Sequence, residues 1–268
     1  MRVQVLLSAM HLDDENYIDT LGIHTDCVVI NQCDRQSEKI VRHETPEGPV
    51  NVTYVETKER GLSKSRNMAL RKASDDVCIL CDNDVEYVKD YDKIINRAFA
   101  KYPEADVIVF FIKRPERSEP LFKSPKRMGY LSTLKIFSPE IAVRREKVAD
   151  IQFNEMFGAG AGYIMGEENI FMYECLKRGR KIMYVPEMIA KTRSEESTWF
   201  KGYDRDFFVS RGANYAAMSR LFSCILIWQY AIRKKYLYKE NISTGDALSA
   251  MFAGRREYLS YLKGNKAI

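Results

Sequence analysis

Val77-Cys78-Ile79-Leu80-Cys81-Asp82-Asn83-Asp84 is a short apolar run that ends in two carboxylates one residue apart. A run of this length and composition reads as a buried strand, and the C-terminal edge of such strands is where open α/β sheets bind ligands. Two acids placed there repel each other and lose hydration unless positive charge sits between them. A hard divalent cation with oxygen ligands, Mg²⁺ or Mn²⁺, answers that need and brings a diphosphate with it. Asp-Asn-Asp is also ordinary turn chemistry, so the motif alone leaves a metal site and a solvated turn both open.

Working outward, strand-like and helix-like segments alternate through the first two-thirds of the chain. Val3 to Ala9 and Cys27 to Asn31 read as strands, with a short helical or irregular crossing around Tyr17 to Leu21. Ile40 to Thr45 and Val50 to Glu56 flank a Pro-Glu-Gly-Pro turn and read as a hairpin or as a strand and loop. Ser63 to Ala73 reads as a helix, Tyr91 to Lys101 as another, and Asp106 to Ile112 as a strand. This alternation predicts a mostly parallel α/β sheet flanked by helices. Residues 113–137 read as a loop facing substrate. Ser138-Pro139-Glu140 resembles an N-cap with proline at the first helical position, predicting a helix to about Val148. A further helix follows Gly166 and stops at Gly179, and Lys181 to Val185 reads as a strand ended by Pro186. Beyond residue 200 the pattern is nearly all helix: Asp206 to Arg220, Leu221 to Lys239 and Gly245 to Leu262.

The 268 residues suffice for one large domain or one domain with an appendage. With 46% hydrophobic and 29% charged residues, the chain is neither disordered nor a repeat protein. A net charge of +5, with Lys and Arg scattered, argues against a nucleic-acid partner. The first residues lack a signal-peptide pattern, and several cysteines lie in apolar runs, as expected of reduced cytoplasmic protein. Cys78-x-x-Cys81 has no second pair or nearby histidine to complete a zinc site.

Two more segments narrow the reading: Gly61-Leu62-Ser63-Lys64-Ser65-Arg66-Asn67, and Phe157-Gly158-Ala159-Gly160-Ala161-Gly162 leading to Gly166-Glu167-Glu168. With Asp82-Asn83-Asp84 between them, this ordered trio resembles the family 2 glycosyltransferases over roughly residues 1–190. The resemblance implies a GT-A nucleotide-diphospho-sugar transferase fold over residues 1–205, with residues 206–268 as a helical extension. It further implies an inverting, metal-dependent transfer from a nucleotide sugar, a UDP-sugar, to a lipid-linked or growing surface glycan. By the same carry-over Asp34 pairs with the nucleotide base, Arg66 faces phosphate, Asp82 meets ribose, Asp84 holds Mn²⁺ or Mg²⁺, and Glu168 is the base that deprotonates the acceptor. Asn67 is expected to buttress the loop. Three departures stand out: Asn31 and Gln32 occupy positions where relatives carry acids, Glu168 stands where most carry Asp, and the histidine that completes some metal shells has no counterpart among His11, His24 and His43.

Trp199 and Glu167 are candidate acceptor contacts; Trp199 serves equally as packing, and Glu167 and Glu168 also suit a helix N-terminus through its dipole. The late glycine run lacks the position of a dinucleotide fingerprint. Leu221 to Ile232 is too short to span a bilayer, which takes about 20 residues. Its basic, aromatic flank Arg233 to Lys239 fits an anionic membrane surface, and an apolar helix closing the core fits as well. A peripheral location on the inner face of the cell membrane is therefore expected. Two rivals are a nucleotidyltransferase, whose basic glycine loop after the first strand is missing at Ser8 to Asp14, and a non-catalytic glycan-binding protein on a degenerate transferase fold.

Overall fold

The computed structural model describes residues 1–193, 200 and 202–264. It opens with β1 (Val3–Met10), a single helical turn α1 (Tyr17–Thr20), β2 (Cys27–Gln32) and the antiparallel hairpin of β3 (Ser37–Thr45) and β4 (Gly48–Thr57). Next come α2 (Leu62–Lys72), β5 (Val77–Asp82), β6 (Val85–Tyr87), α3 (Tyr91–Lys101) and β7 (Val107–Lys113). β8 (Lys126–Arg127), β9 (Ile141–Arg144), α4 (Arg145–Val148), α5 (Glu167–Lys177) and β10 (Ile182–Thr192) follow. The helices α6 (Arg205–Met218), α7 (Ser223–Arg233), α8 (Lys235–Tyr238) and α9 (Thr244–Gly264) come last.

The sheet runs in the order β3-β4-β2-β1-β5-β9-β7-β10-β6, and its centre, β4-β2-β1-β5, is parallel. From β1 the chain moves outward to β2 and β4 and then returns to lay β5 on the other side of β1. That reversal leaves a crevice at the C-terminal ends of β1 and β5, the topological switch point of an open α/β sheet. The period of two along each strand sends side chains to two separate cores. Val77, Ile79 and Cys81 join one core with Tyr91, Ile95 and Phe99 of α3. Cys78 and Leu80 join the other with Ala69 of α2 and Phe171, Met172 and Cys175 of α5. Cys78 and Cys81 therefore face opposite sides of the sheet. The result is a mixed α/β sheet flanked by helices.

Two elements correct the sequence reading. Ser138-Pro139-Glu140 forms one 3-10 turn, and Ile141-Ala142-Val143 is strand where a helix was expected. Those three side chains are fully or almost fully buried between β5 and β7, with which β9 pairs antiparallel. The slot between two strands overrides the local N-cap signal. Pro186 does not end β10, which continues to Thr192 with register shifts against β7 between Tyr184 and Ala190, an irregularity of the kind that accommodates a residue lacking an N–H.

The chain divides into two compact units. The first holds Met1–Arg60, Lys64–Phe153 and Phe171–Glu196, and the second holds Gly61–Ser63, Asn154–Ile170 and Ser197–Ile268. The glycine-rich approach and the Glu167-Glu168 pair thus group with the C-terminal helices.

Candidate active site

In the first unit the even-numbered positions of β5 face α2, and Asp82, the last of them, meets Arg66. The Arg66 Nη2 donates to Asp82 Oδ1 at 3.0 Å. Arg66 is almost wholly buried, and its guanidinium carbon lies 5.6 Å from the Phe153 ring centroid. Ser65 Oγ donates to Ser8 Oγ at 2.8 Å, and Ser8 is the β1 residue in register with Asp82. Asn67 clamps the backbone of Phe153 from both sides, donating to its carbonyl at 2.9 Å and accepting from its N–H at 2.8 Å. α2 is thereby held against the sheet edge with its one buried cation on the acid.

Asp84 follows half-buried, and its carbonyl accepts from the Arg193 N–H at 2.8 Å. Burial, then the neighbouring Asp82 charge and the more distant Glu116, push the Asp84 carboxyl above its ordinary value. The structure therefore brings Arg66, Asp82 and Asp84 together at the switch point. No set of three His, Cys, Asp or Glu among the described residues is arranged to hold a metal ion. His24 pairs with Asp92 and His43 with Asp19 instead.

Asp34 lies just past β2, its side chain 89% exposed, accepting from Arg60 Nη2 at 2.7 Å. Arg60 also donates to the carbonyls of Cys33 and Thr57, so the loop that carries Asp34 is tied to the end of β4. Asn31 is buried and braces Leu12, accepting from its N–H at 3.0 Å and donating to its carbonyl at 2.9 Å. A carboxylate there would accept the first of these bonds but lack a proton for the second. The roles of Arg60 and Ser8 were not read from the sequence, where only the position of Arg60 directly before the Gly-Leu-Ser segment hinted at one, and Asn31 stood out there only as a departure from an acid, not as a brace.

In the second unit the Gly-Leu-Ser segment grips the glycine-rich loop. Leu62 N donates to the Ala159 carbonyl at 2.9 Å, and Ser63 Oγ donates to the Phe157 carbonyl at 2.7 Å. Phe157 stacks on Tyr163, whose hydroxyl donates to Glu257 Oε1 at 3.0 Å. Gly166 has a φ of +88°, and its carbonyl accepts from Asn214 Nδ2 at 2.8 Å. Glu167 is buried, its carboxylate against Gly158, whereas Glu168 is half-buried in the first turn of α5. Trp199 lies outside the described residues.

The sequence profile of glycosyl transferase family 2 matches residues 19–165, more than half of the chain. The chain belongs to glycosyl transferase family 2. It is thus a glycosyltransferase, and the nucleotidyltransferase and non-catalytic readings fall away. No curated protein matches it in sequence. Among solved structures it resembles S. aureus TarS residues 1–349, at 15% identity and a TM-score of 0.62 over 98% of this chain and 92% of that one. The same protein in complex with UDP-GlcNAc gives 16% identity and 0.63 over the same shares. The mannosyltransferase PcManGT from Pyrobaculum calidifontis, in complex with GDP-Man and Mn²⁺, gives 13% identity and 0.53 over 99% of this chain and 79% of that one. At such identities the likeness speaks for the fold, here GT-A.

Proposed function

We propose that this glycosyltransferase is inverting and metal-dependent, and that it moves a sugar from a UDP-sugar to a lipid-linked or growing surface glycan at the cytoplasmic face of the cell membrane. The observation that carries the reading is the Arg66–Asp82 pair beside a partly desolvated Asp84 at the sheet's switch point. The donor set fits a hard cation: it offers carboxylate oxygens, and the burial and the Asp82 charge that together raise Asp84 both disfavour a bare carboxylate, which a divalent ion stabilises. Asp84 would hold Mn²⁺ or Mg²⁺ together with diphosphate oxygens and water. When bound, the cation supplies charge relief for the leaving diphosphate. Arg66 orients Asp82 so that its other oxygen accepts from a ribose hydroxyl. Asp34, exposed just past β2, would pair with the nucleotide base. Glu168 takes the proton of the acceptor hydroxyl in a single displacement, which inverts the anomeric centre. Trp199 and Glu167 remain the acceptor candidates, with Glu167 acting through the loop it supports.

Turnover of a panel of nucleotide sugars with and without Mn²⁺ tests the reading. Asp84→Ala should abolish metal-dependent binding of UDP in calorimetry while leaving the fold intact. Glu168→Gln should keep donor affinity and lower transfer by about 10²-fold or more. Unchanged transfer by Glu168→Gln would move the base to another residue.

A further inference from the structure

Helix α7 carries two apolar faces where a surface helix needs one. Ser223, Leu226, Ile227 and Ala231 are buried within its own unit, and they satisfy the usual single stripe turned to a core. Phe222, Ile225, Trp228 and Ile232 recur at spacings of three and four on another face, and each is more than half exposed. Leu221 and Tyr236 extend this stripe at its ends, 85% and 64% exposed. Trp228 makes an edge contact with Phe252 of α9, the rest of the stripe stays largely open to solvent, and an exposed apolar patch of this kind marks a docking surface.

Charge identifies the occupant. Arg220, Arg233, Lys234, Lys235 and Lys239 border the stripe and are exposed, and residues 212–239 contain no Asp or Glu. Lys234 sits 5.7 Å from the Tyr236 ring centroid, a cation and an aromatic of the kind that settles at headgroup level. A second copy meeting this face symmetrically would set the same cations against one another. At 11 residues α7 is about 16 Å long, against about 30 Å of hydrocarbon, and no helix among the described residues is long and apolar enough to cross a membrane. An apolar stripe rimmed by cations on so short a helix lies in the plane of a bilayer surface.

We propose that this face of α7 docks on an anionic lipid bilayer, with Phe222, Ile225, Trp228 and Ile232 in the headgroup–acyl boundary and the basic residues against the headgroups. The inference rests on the transferase reading only for its use, access to an acceptor carried on lipid. Docking itself is measured without donor or acceptor. The full chain is sedimented with phosphatidylglycerol–phosphatidylcholine vesicles and with phosphatidylcholine alone, and UDP-dependent thermal stabilisation is read on the same samples. Binding to the anionic vesicles is expected. It should weaken by at least about tenfold with phosphatidylcholine alone, with added salt, or with Arg233→Glu, Lys234→Glu and Lys235→Glu combined. Ile225→Ser with Trp228→Ser should lose it to a similar degree. Trp emission should shift to the blue on binding in wild type and not in that double variant. Wild type left in the supernatant at low salt, variants that sediment as wild type does, or a dimer that Ile225→Ser with Trp228→Ser dissociates would each overturn the docking. Intact docking with no UDP stabilisation and no turnover would overturn the donor reading alone.

Discussion

Arg66 and Gly166 show how single positions hold the site. Arg66 is buried against Phe153, yet its partner Asp82 keeps 23% of its side chain exposed, so solvent screens the pair in part. Removing the cation leaves a half-desolvated carboxylate without its charge partner. Arg66→Ala should therefore cost about 2 kcal/mol or more in stability and weaken UDP binding, whereas Arg66→Lys should recover stability in part but not the geometry of the guanidinium. Urea unfolding and calorimetry on the two variants separate these effects; a silent Arg66→Ala would remove the residue from the account. Gly166 is constrained differently. A Cβ there would sit 2.2 Å from Asn214 Nδ2, at a φ that L side chains rarely adopt. Gly166→Ala should destabilise by about 1–3 kcal/mol and displace the turn that presents Glu168, lowering transfer. Asn214→Ala in the same chain should relieve the contact but not the backbone strain, and full rescue by it would show that φ does not matter.

Among the elements, α6 and α9 pack by reciprocal glycines. A Cβ on Gly212 of α6 would lie 1.8 Å from the Met251 carbonyl oxygen of α9, and one on Gly254 of α9 would lie 2.0 Å from the Val209 carbonyl oxygen of α6. Each helix backbone thus fills the groove opened by the other's missing side chain. Gly212→Ala and Gly254→Ala should each cost about 2 kcal/mol or more, read by urea denaturation. Because one separation of the helices makes room for both methyls, the double variant should cost less than the sum. Strict additivity would mean that the two contacts are independent and the shared-groove account is wrong. β9 makes the opposite point. Its Ile-Ala-Val run follows a proline-containing helix-start signal, yet the vacancy between β5 and β7 turns it into strand. A segment's partner there outweighs its local propensity.

Taken whole, the molecule keeps five of its six cysteines buried and leaves Cys224 on α7 half-buried. Burial pushes the Cys78 and Cys175 thiols from an ordinary 9.0 up to about 12. The thiolate is the reactive form, so a disulfide reagent at pH 8 should label Cys224 first and the buried thiols only after denaturation. Rapid labelling of Cys224→Ser would contradict this. The sign of the linkage follows: the folded chain holds these protons more tightly than the unfolded one, so their stabilisation is complete below about pH 9 and is lost as pH rises towards about 12. The apolar run from Val77 to Cys81 with its terminal acids, the alternation of strand-like and helix-like segments and the order of three motifs were enough to read the α/β sheet, the strand-edge acids and the family, because composition, alternation and short-range motif spacing are local properties of the chain. Which acid meets Arg66, that Glu167 is buried while Glu168 is not, that Asn31 braces a loop, and that β10 runs past Pro186 were decided only by the fold. These depend on which distant segments share a sheet edge or a groove, and on solvent exclusion that no single segment produces alone.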